Sequence, residues 1–304
     1  MIDESTRPSV QTRRGTTEFP DFRSGHGATP VAVTRFLNVD GGRIAYDDTG
    51  GEGRLILAIP GLGDLRLQYR RLRPVLERAG YRVITMDVRG HGESSARWPD
   101  YSAHAVGRDA LALLAHLDAG PAVILGSSFA AGSALWAAHD SPRSVAGVVL
   151  LGPIVRDPTV PWFARLALNI GLAGPWRVWF WTTYWDSLFP ERPVDQAQVK
   201  AAITRNLREP GRMDALRTMI ELSKTDTAAI VSGSRVPALV VMGTKDADFP
   251  DPLAEARWLA SELRARLSII EGAGHYPQTE SPEAVAPALL TFLESLGTTS
   301  ASDG

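Results

Sequence analysis

The sequence predicts an α/β protein: a mostly parallel, eight-stranded sheet flanked by helices on both faces, with a helical cap inserted late in the chain. Three observations lead there. Short unbroken apolar runs recur along the chain, as strands buried on both faces require. Stretches of helical character separate them, and that alternation favours parallel pairing. One long segment, 153–235, has no such run and is rich in tryptophan instead.

Residues 1–30 are polar and carry Gly, Pro, Ser, Thr and Arg, so a disordered tail is expected there. No apolar stretch follows the Arg13-Arg14 pair, which argues against an export signal. Val31–Val39 and Arg43–Asp47 read as two strands joined by the hairpin signal Asp40-Gly41-Gly42. Leu55–Ile59, Tyr81–Met86, Ala122–Leu125, Val145–Leu151 and Ala238–Met242 have the buried-strand signature, and Leu267–Ile270 is a shorter version of it. Helices are expected over Leu67–Ala79, Ser102–Leu117, Ser128–Ala138, Asp251–Leu263 and Pro282–Leu296. Segment 153–235 reads as several helices broken by Pro161, Gly171, Gly174-Pro175, Pro190 and Pro210-Gly211. It holds Trp162, Trp176, Trp179, Trp181 and Trp185, five of the eight tryptophans. The expected core is therefore 31–152 plus 236–297, capped by 153–235, with a second disordered tail at 298–304. Such a cap would lie over the carboxyl edge of the sheet, where open α/β sheets bind ligands.

Composition narrows the function. The 304 residues carry a net charge of −2 with no cluster of Lys and Arg, which speaks against a nucleic-acid surface. There is no cysteine, so disulfides, thiolate metal sites and a Cys nucleophile are excluded. No window reaches the ~18 consecutive apolar residues of a membrane span. The expectation is a soluble, cytoplasmic protein acting on a small molecule.

The chemistry concentrates in four places. The run Ala122–Leu125 leads into Gly126-Ser127-Ser128-Phe129-Ala130-Ala131-Gly132. A catalytic serine on a sharp strand-to-helix turn needs small residues two before and two after it, and Gly126 and Ala130 supply them around Ser128. Around Ser127 the same positions hold Leu125 and Phe129, which would crowd the turn. The bland alternative is an ordinary helix N-cap. His275, in Gly272-Ala273-Gly274-His275-Tyr276-Pro277, sits on a glycine-rich loop just past the last run, where it can act as a base; otherwise it is a surface loop residue. Asp246 and Asp248 follow the strand ending at Met242. One of them should orient the histidine, and Asp246 is favoured, against the alternative of a turn residue capping the next helix. An oxyanion needs two preorganised donors. The N–H of Phe129 offers one, and the N–H of Leu62 in Pro60-Gly61-Leu62-Gly63-Asp64 the other, unless that stretch is a plain glycine turn.

In this order these motifs resemble the α/β-hydrolase superfamily, in its capped branch, over about residues 31–297. The succession Ser128, Asp246, His275 is that superfamily's order of nucleophile, acid and base. The stretch Asp87-Val88-Arg89-Gly90-His91-Gly92-Glu93-Ser94 is similar to a structural turn of these enzymes, which makes Asp87, Arg89 and His91 architectural. Two departures stand out: Pro60 where many relatives have His, and Ala130 where the elbow has Gly. Serine at the elbow argues against the dehalogenase and epoxide-hydrolase branches, whose nucleophile is Asp.

The resemblance implies a serine hydrolase with a Ser128–His275–Asp246 triad, an oxyanion hole at Leu62 and Phe129, and neither cofactor nor metal. The substrate expected is a carboxylic ester of an apolar or aromatic small molecule, with Trp162, Phe163 and Tyr276 beside it. Thioester, lactone or carbon–carbon bond hydrolysis and cofactor-free perhydrolysis use the same triad. A low-turnover ligand-binding or signalling protein is the reading from another class. Caps of this kind sometimes pair between subunits, so a homo-oligomer is an allowed state.

Overall fold

The structure is a computed structural model that describes residues 33–158 and 162–298. The expected tail at 1–30 lies outside the described residues. The one expected at 298–304 does too, except that Thr298 ends the last helix.

Among the described residues eight strands form one sheet: β1 (Arg35–Val39), β2 (Gly42–Asp48), β3 (Leu55–Ile59), β4 (Arg82–Met86), β5 (Ala122–Ser127), β6 (Val145–Leu151), β7 (Ala238–Gly243) and β8 (Arg266–Ile270). Their order is β1-β2-β4-β3-β5-β6-β7-β8. β1 and β2 form the antiparallel hairpin, β2 pairs antiparallel with β4, and every later pairing is parallel. All residues of β3, β5 and β7 are buried, as strands covered on both faces must be.

Side chains alternate between two cores with the period of two that a strand imposes. Leu55, Leu57 and Ile59 face one, Ile56 and Ala58 the other. The first core is closed by α2 (Ala103–Leu117), α3 (Ala130–Asp140) and α9 (Pro252–Leu263), through residues such as Val106, Leu113, Ala134 and Leu259. The second is closed by α1 (Arg73–Arg78) and α11 (Pro282–Thr298), through Leu76, Leu289 and Phe292. Ser102 and Asp251 cap α2 and α9, their side chains accepting from the amides of Ala105 and Ala254.

Between β6 and β7 the chain leaves the sheet and forms α4 (Trp162–Ala173), α5 (Arg177–Ser187), α6 (Gln196–Leu207), α7 (Arg212–Glu221) and α8 (Thr225–Val231). A third apolar cluster, with Trp181, Trp185, Leu188, Phe189, Val199 and Ile203, holds this cap together and reaches Leu65 and Tyr276 below it. A last short helix, α10 (Pro277–Glu280), follows β8.

Three expectations are corrected. The helix over Leu67–Ala79 is instead a 3₁₀ turn at Arg66–Tyr69 followed by α1, because Pro74 fits only the first turn of a helix. The helix expected from Ser128 begins at Ala130. β8 is an edge strand with Leu267 and Ile269 exposed, not a strand buried on both faces.

Candidate active site

The carboxyl ends of β3, β5, β6, β7 and β8 converge below the cap. Ser128 follows β5 at φ +55°, a left-handed conformation that costs a side-chain-bearing residue about 1–3 kcal/mol. Among the described residues two others without the excuse of being glycine share it, Asp118 and Arg264, and both are ordinary helix C-caps. Ser128 lies instead between a strand and a helix, and Phe129, not Ser128, is the N-cap of α3. The turn is locked by its own backbone. The Ser128 amide donates to Leu151 O at 2.8 Å, and Ile154 N donates to Ser128 O. A Cβ on Gly126 would lie 2.3 Å from Ala130 O, so only glycine fits two residues before Ser128. Ala130, two residues after it, is fully buried as the first residue of α3. Ser127 is also fully buried and accepts from Gln278 Nε2 at 3.1 Å.

His275 is carried by the loop between β8 and α10. That loop is zipped to the one after β7: Lys245 N donates to Ala273 O, and Thr244 N to Ile270 O. Glu280 accepts from Gly274 N at 2.9 Å, and His275 N donates to Leu188 O of the cap. Burial pushes the Glu280 carboxyl up to about 7. A Cβ on Gly152, just past β6, would lie 3.2 Å from His275 Nδ1. Ser128 and His275 thus flank the same end of β6.

The histidine is held from both sides. Nδ1 lies 2.8 Å from Asp246 Oδ2, and Nε2 lies 3.4 Å from Asp248 Oδ2. Nε2 is buried and has no hydrogen-bond partner, so the Asp248 contact is an ion pair when the ring is protonated rather than a hydrogen bond, and a Ser128–His275 hydrogen bond is not formed in this arrangement. Burial opposes a charged ring, but the Asp246 and Asp248 carboxylates outweigh it and push the His275 pKa up to about 9. Asp246 Oδ1 also accepts from Asp248 N at 3.0 Å, so the acid does make a turn bond, while the helix cap is Asp251. The two aspartates and His275 offer ligand atoms within 4.8 Å of one another. The carboxylates address different ring nitrogens, however, an arrangement that suits a clamped histidine better than one shared ion.

The loop after β3 runs against Ser128. A Cβ on Gly61 would lie 3.1 Å from Ser128 Cβ, and one on Gly63 would collide with the indole of Trp181. Gln68 braces this loop, accepting from Gly61 N and donating to Asp64 Oδ2; Trp185 Nε1 reaches the same oxygen at 3.1 Å. Burial raises the Asp64 carboxyl to about 6. Leu62 is half-buried here and Phe129 is buried at the start of α3.

Of the residues expected beside a substrate, Tyr276 is buried, edge-on to His275 at 4.8 Å and stacked on Phe189 at 5.0 Å. It is part of the wall that holds His275. Trp162 and Phe163 are 77% and 60% exposed on α4 and pack on each other; they stand in solvent rather than enclosing Ser128. The aromatics brought to the site are Trp181 and Tyr184 of α5, which the sequence did not separate from their neighbours. Trp181 Nε1 is buried without a partner beside Gly63, and the Tyr184 hydroxyl donates to Asp248 Oδ1.

The turn after β4 is structural. Asp87 accepts from Arg66 N at 2.8 Å and from Glu93 N at 3.0 Å, and Arg89 forks onto Asp109 at 2.8 and 2.7 Å. His91 bonds the Arg89 carbonyl, and burial pushes its ring down to about 4.

Comparison with known proteins places the fold. The chain is 32% identical over 278 residues, 86% of its length, to polyketide synthase ThaQ of Burkholderia thailandensis, of which it spans only 13%. It is 30% identical to the non-heme chloroperoxidase of Streptomyces lividans, covering 71% of this chain and 83% of that protein. Its fold superposes on a thermophilic esterase from Thermogutta terrifontis with a TM-score of 0.70 at 24% identity, over 84% of this chain and 94% of the other. No helix among the described residues is long and apolar enough to cross a membrane. The family model described as "Alpha/beta hydrolase family" matches residues 56–288, which takes in the elbow, both loops and the cap: the chain belongs to the α/β-hydrolase family.

Proposed function

We propose that the protein is a serine hydrolase that cleaves a carboxylic ester of an apolar or aromatic small molecule through an acyl-enzyme. The observation that carries this reading is Ser128, held at φ +55° between β5 and α3, beside a buried histidine whose Nδ1 is 2.8 Å from Asp246. Ser128 Oγ attacks the ester carbonyl while His275 Nε2 takes its proton. Asp246 fixes the ring and balances the imidazolium. The amides of Leu62 and Phe129 hold the tetrahedral oxyanion. The proton passes to the departing alkoxide, and water, activated by the same nitrogen, releases the acid and regenerates Ser128. The indole of Trp181 and the ring of Tyr184, turned inward from α5, favour an apolar or aromatic acyl group.

A series of p-nitrophenyl esters from acetate to benzoate tests this, with pre-steady-state mixing to read the acyl-enzyme. A burst stoichiometric with protein, faster for larger acyl groups and absent in Ser128→Ala, is expected. Ester turnover that survives in Ser128→Ala would refute it. The kinship with a non-heme chloroperoxidase supports a second reading, in which hydrogen peroxide replaces water in the second step and a peracid leaves. Peracid formed from an acetate ester and peroxide, dependent on Ser128, distinguishes the two.

A further inference from the structure

The triad leaves one contact unexplained. A base that must accept a proton at Nε2 should have that nitrogen open toward Ser128, yet Asp248 Oδ2 stands 3.4 Å from it. Asp248 is not free to drift. Its amide is bonded to Asp246 Oδ1, and its other carboxylate oxygen accepts the hydroxyl of Tyr184. Tyr184 belongs to α5, so a continuous path runs from the cap through Asp248 to the reactive nitrogen.

The charged groups acting on the ring are all acidic: Asp246 and Asp248 from the loop after β7, and Glu280 from α10. Burial keeps the phenols of Tyr184 and Tyr276 protonated. Of these groups only Asp248 sits at Nε2 and is also tied to the cap. A carboxylate there favours the protonated ring, which cannot act as a base.

Resting on the reading of His275 as the base, we propose that Asp248 is a positioning residue through which the cap restrains catalysis: Tyr184 aims its carboxylate at Nε2 while α5 is seated, and displacement of α5 by an entering substrate releases the ring to Ser128. Asp248 is partly exposed on its loop, so it has solvent to turn into once Tyr184 lets go. The device makes the base available only when the space under the cap is filled.

The test is the pH dependence of kcat/KM on a short p-nitrophenyl ester, read beside an NMR titration of the His275 ring in ¹⁵N-histidine-labelled full-length protein without substrate. Asp248→Asn should move the acid limb and the ring titration together to lower pH by about one unit, a gain of about tenfold in kcat/KM on the acidic side. Tyr184→Phe should move both in the same direction by less, and the double variant should add nothing to Asp248→Asn. Thermal stability reads the same balance. Because the folded ring titrates near 9 rather than at its ordinary 6.5, its contribution is present below pH 6.5 and lost as pH rises through about 9. Asp248→Asn should flatten that loss. An unmoved ring titration in Asp248→Asn would overturn the proposal, as would a fall in limiting rate of the size expected for loss of a triad acid. An upward shift in Tyr184→Phe would remove the cap from it. If the native protein neither turned over esters nor reacted with a fluorophosphonate at any pH, the hydrolase reading would fail, while the ring titration would still judge the clamp.

Discussion

The sheet and the cap solve the burial problem in different ways. In the sheet, β3, β5 and β7 have no exposed residue, and the turn that leaves β5 is fixed by backbone contacts: Ser128 N to Leu151 O, and Gly126 against Ala130 O. In the cap, α5 turns Trp181 and Trp185 inward while Trp179, on the same helix, is 68% exposed, and α4 leaves Trp162, Phe163, Leu166 and Ile170 in solvent. The sheet holds Ser128 through main chain that substitution elsewhere cannot easily move. The cap packs mainly through side chains, so under the proposed function a change there would alter substrate fit while leaving the turn at Ser128 in place.

This contrast orders the expected effects of substitution. Asp246→Asn removes the partner of His275 Nδ1 without changing the fold. It should lower kcat/KM for a short ester by about 10⁴-fold, and lower the urea unfolding midpoint at neutral pH, because the raised His275 pKa rests first on Asp246. A larger fall in Asp248→Asn than in Asp246→Asn would exchange their roles. Trp185→Ala takes out the largest fully buried side chain of the cap and its bond to Asp64. It should destabilise the protein by about 3–5 kcal/mol in denaturant titration. A loss that appears as a separate early transition, leaving the sheet transition in place, would show that the cap unfolds as its own unit. Gly126→Ala forces a methyl against backbone that cannot give. It should cost about 1–3 kcal/mol and abolish ester turnover even in the protein that remains folded. Retained turnover would mean that the elbow is less rigid than its contacts imply. Trp162→Ser and Trp179→Ser, on the outer face of the cap, should shift stability by no more than about 0.5 kcal/mol. A change in apparent mass by sedimentation in these two variants would instead reveal that the face is covered in solution.

Much of the sheet and the elements that carry three candidate site residues, Ser128, His275 and Asp246, were legible in the sequence because each leaves a local trace. A strand buried on both faces reads as an unbroken apolar run, and an elbow that excludes a Cβ at Gly126 reads as glycine two residues before Ser128. His275 and Asp246 were found through the loops that follow strands. What escaped depends on distance or direction. Pro74 divides the expected helix, while the apolar spacing runs on across the break. Leu267 and Ile269 spell a buried strand although β8 is at the edge of the sheet. Trp162 and Trp181 look alike in composition, and only the packing of α4 on α5 decides which one faces the site. The pairing of Tyr184 with Asp248 joins residues 64 positions apart and has no local signature.

In the proposed function everything turns on Ser128 as the nucleophile of a site assembled by the sheet, and that role has a direct check. It is tested most directly by intact-mass and peptide analysis after incubation with a fluorophosphonate. A single adduct is expected on native protein, mapped to Ser128 and absent from a folded Ser128→Ala variant. No adduct on the native protein, or one that persists when Ser128 is replaced, would contradict it.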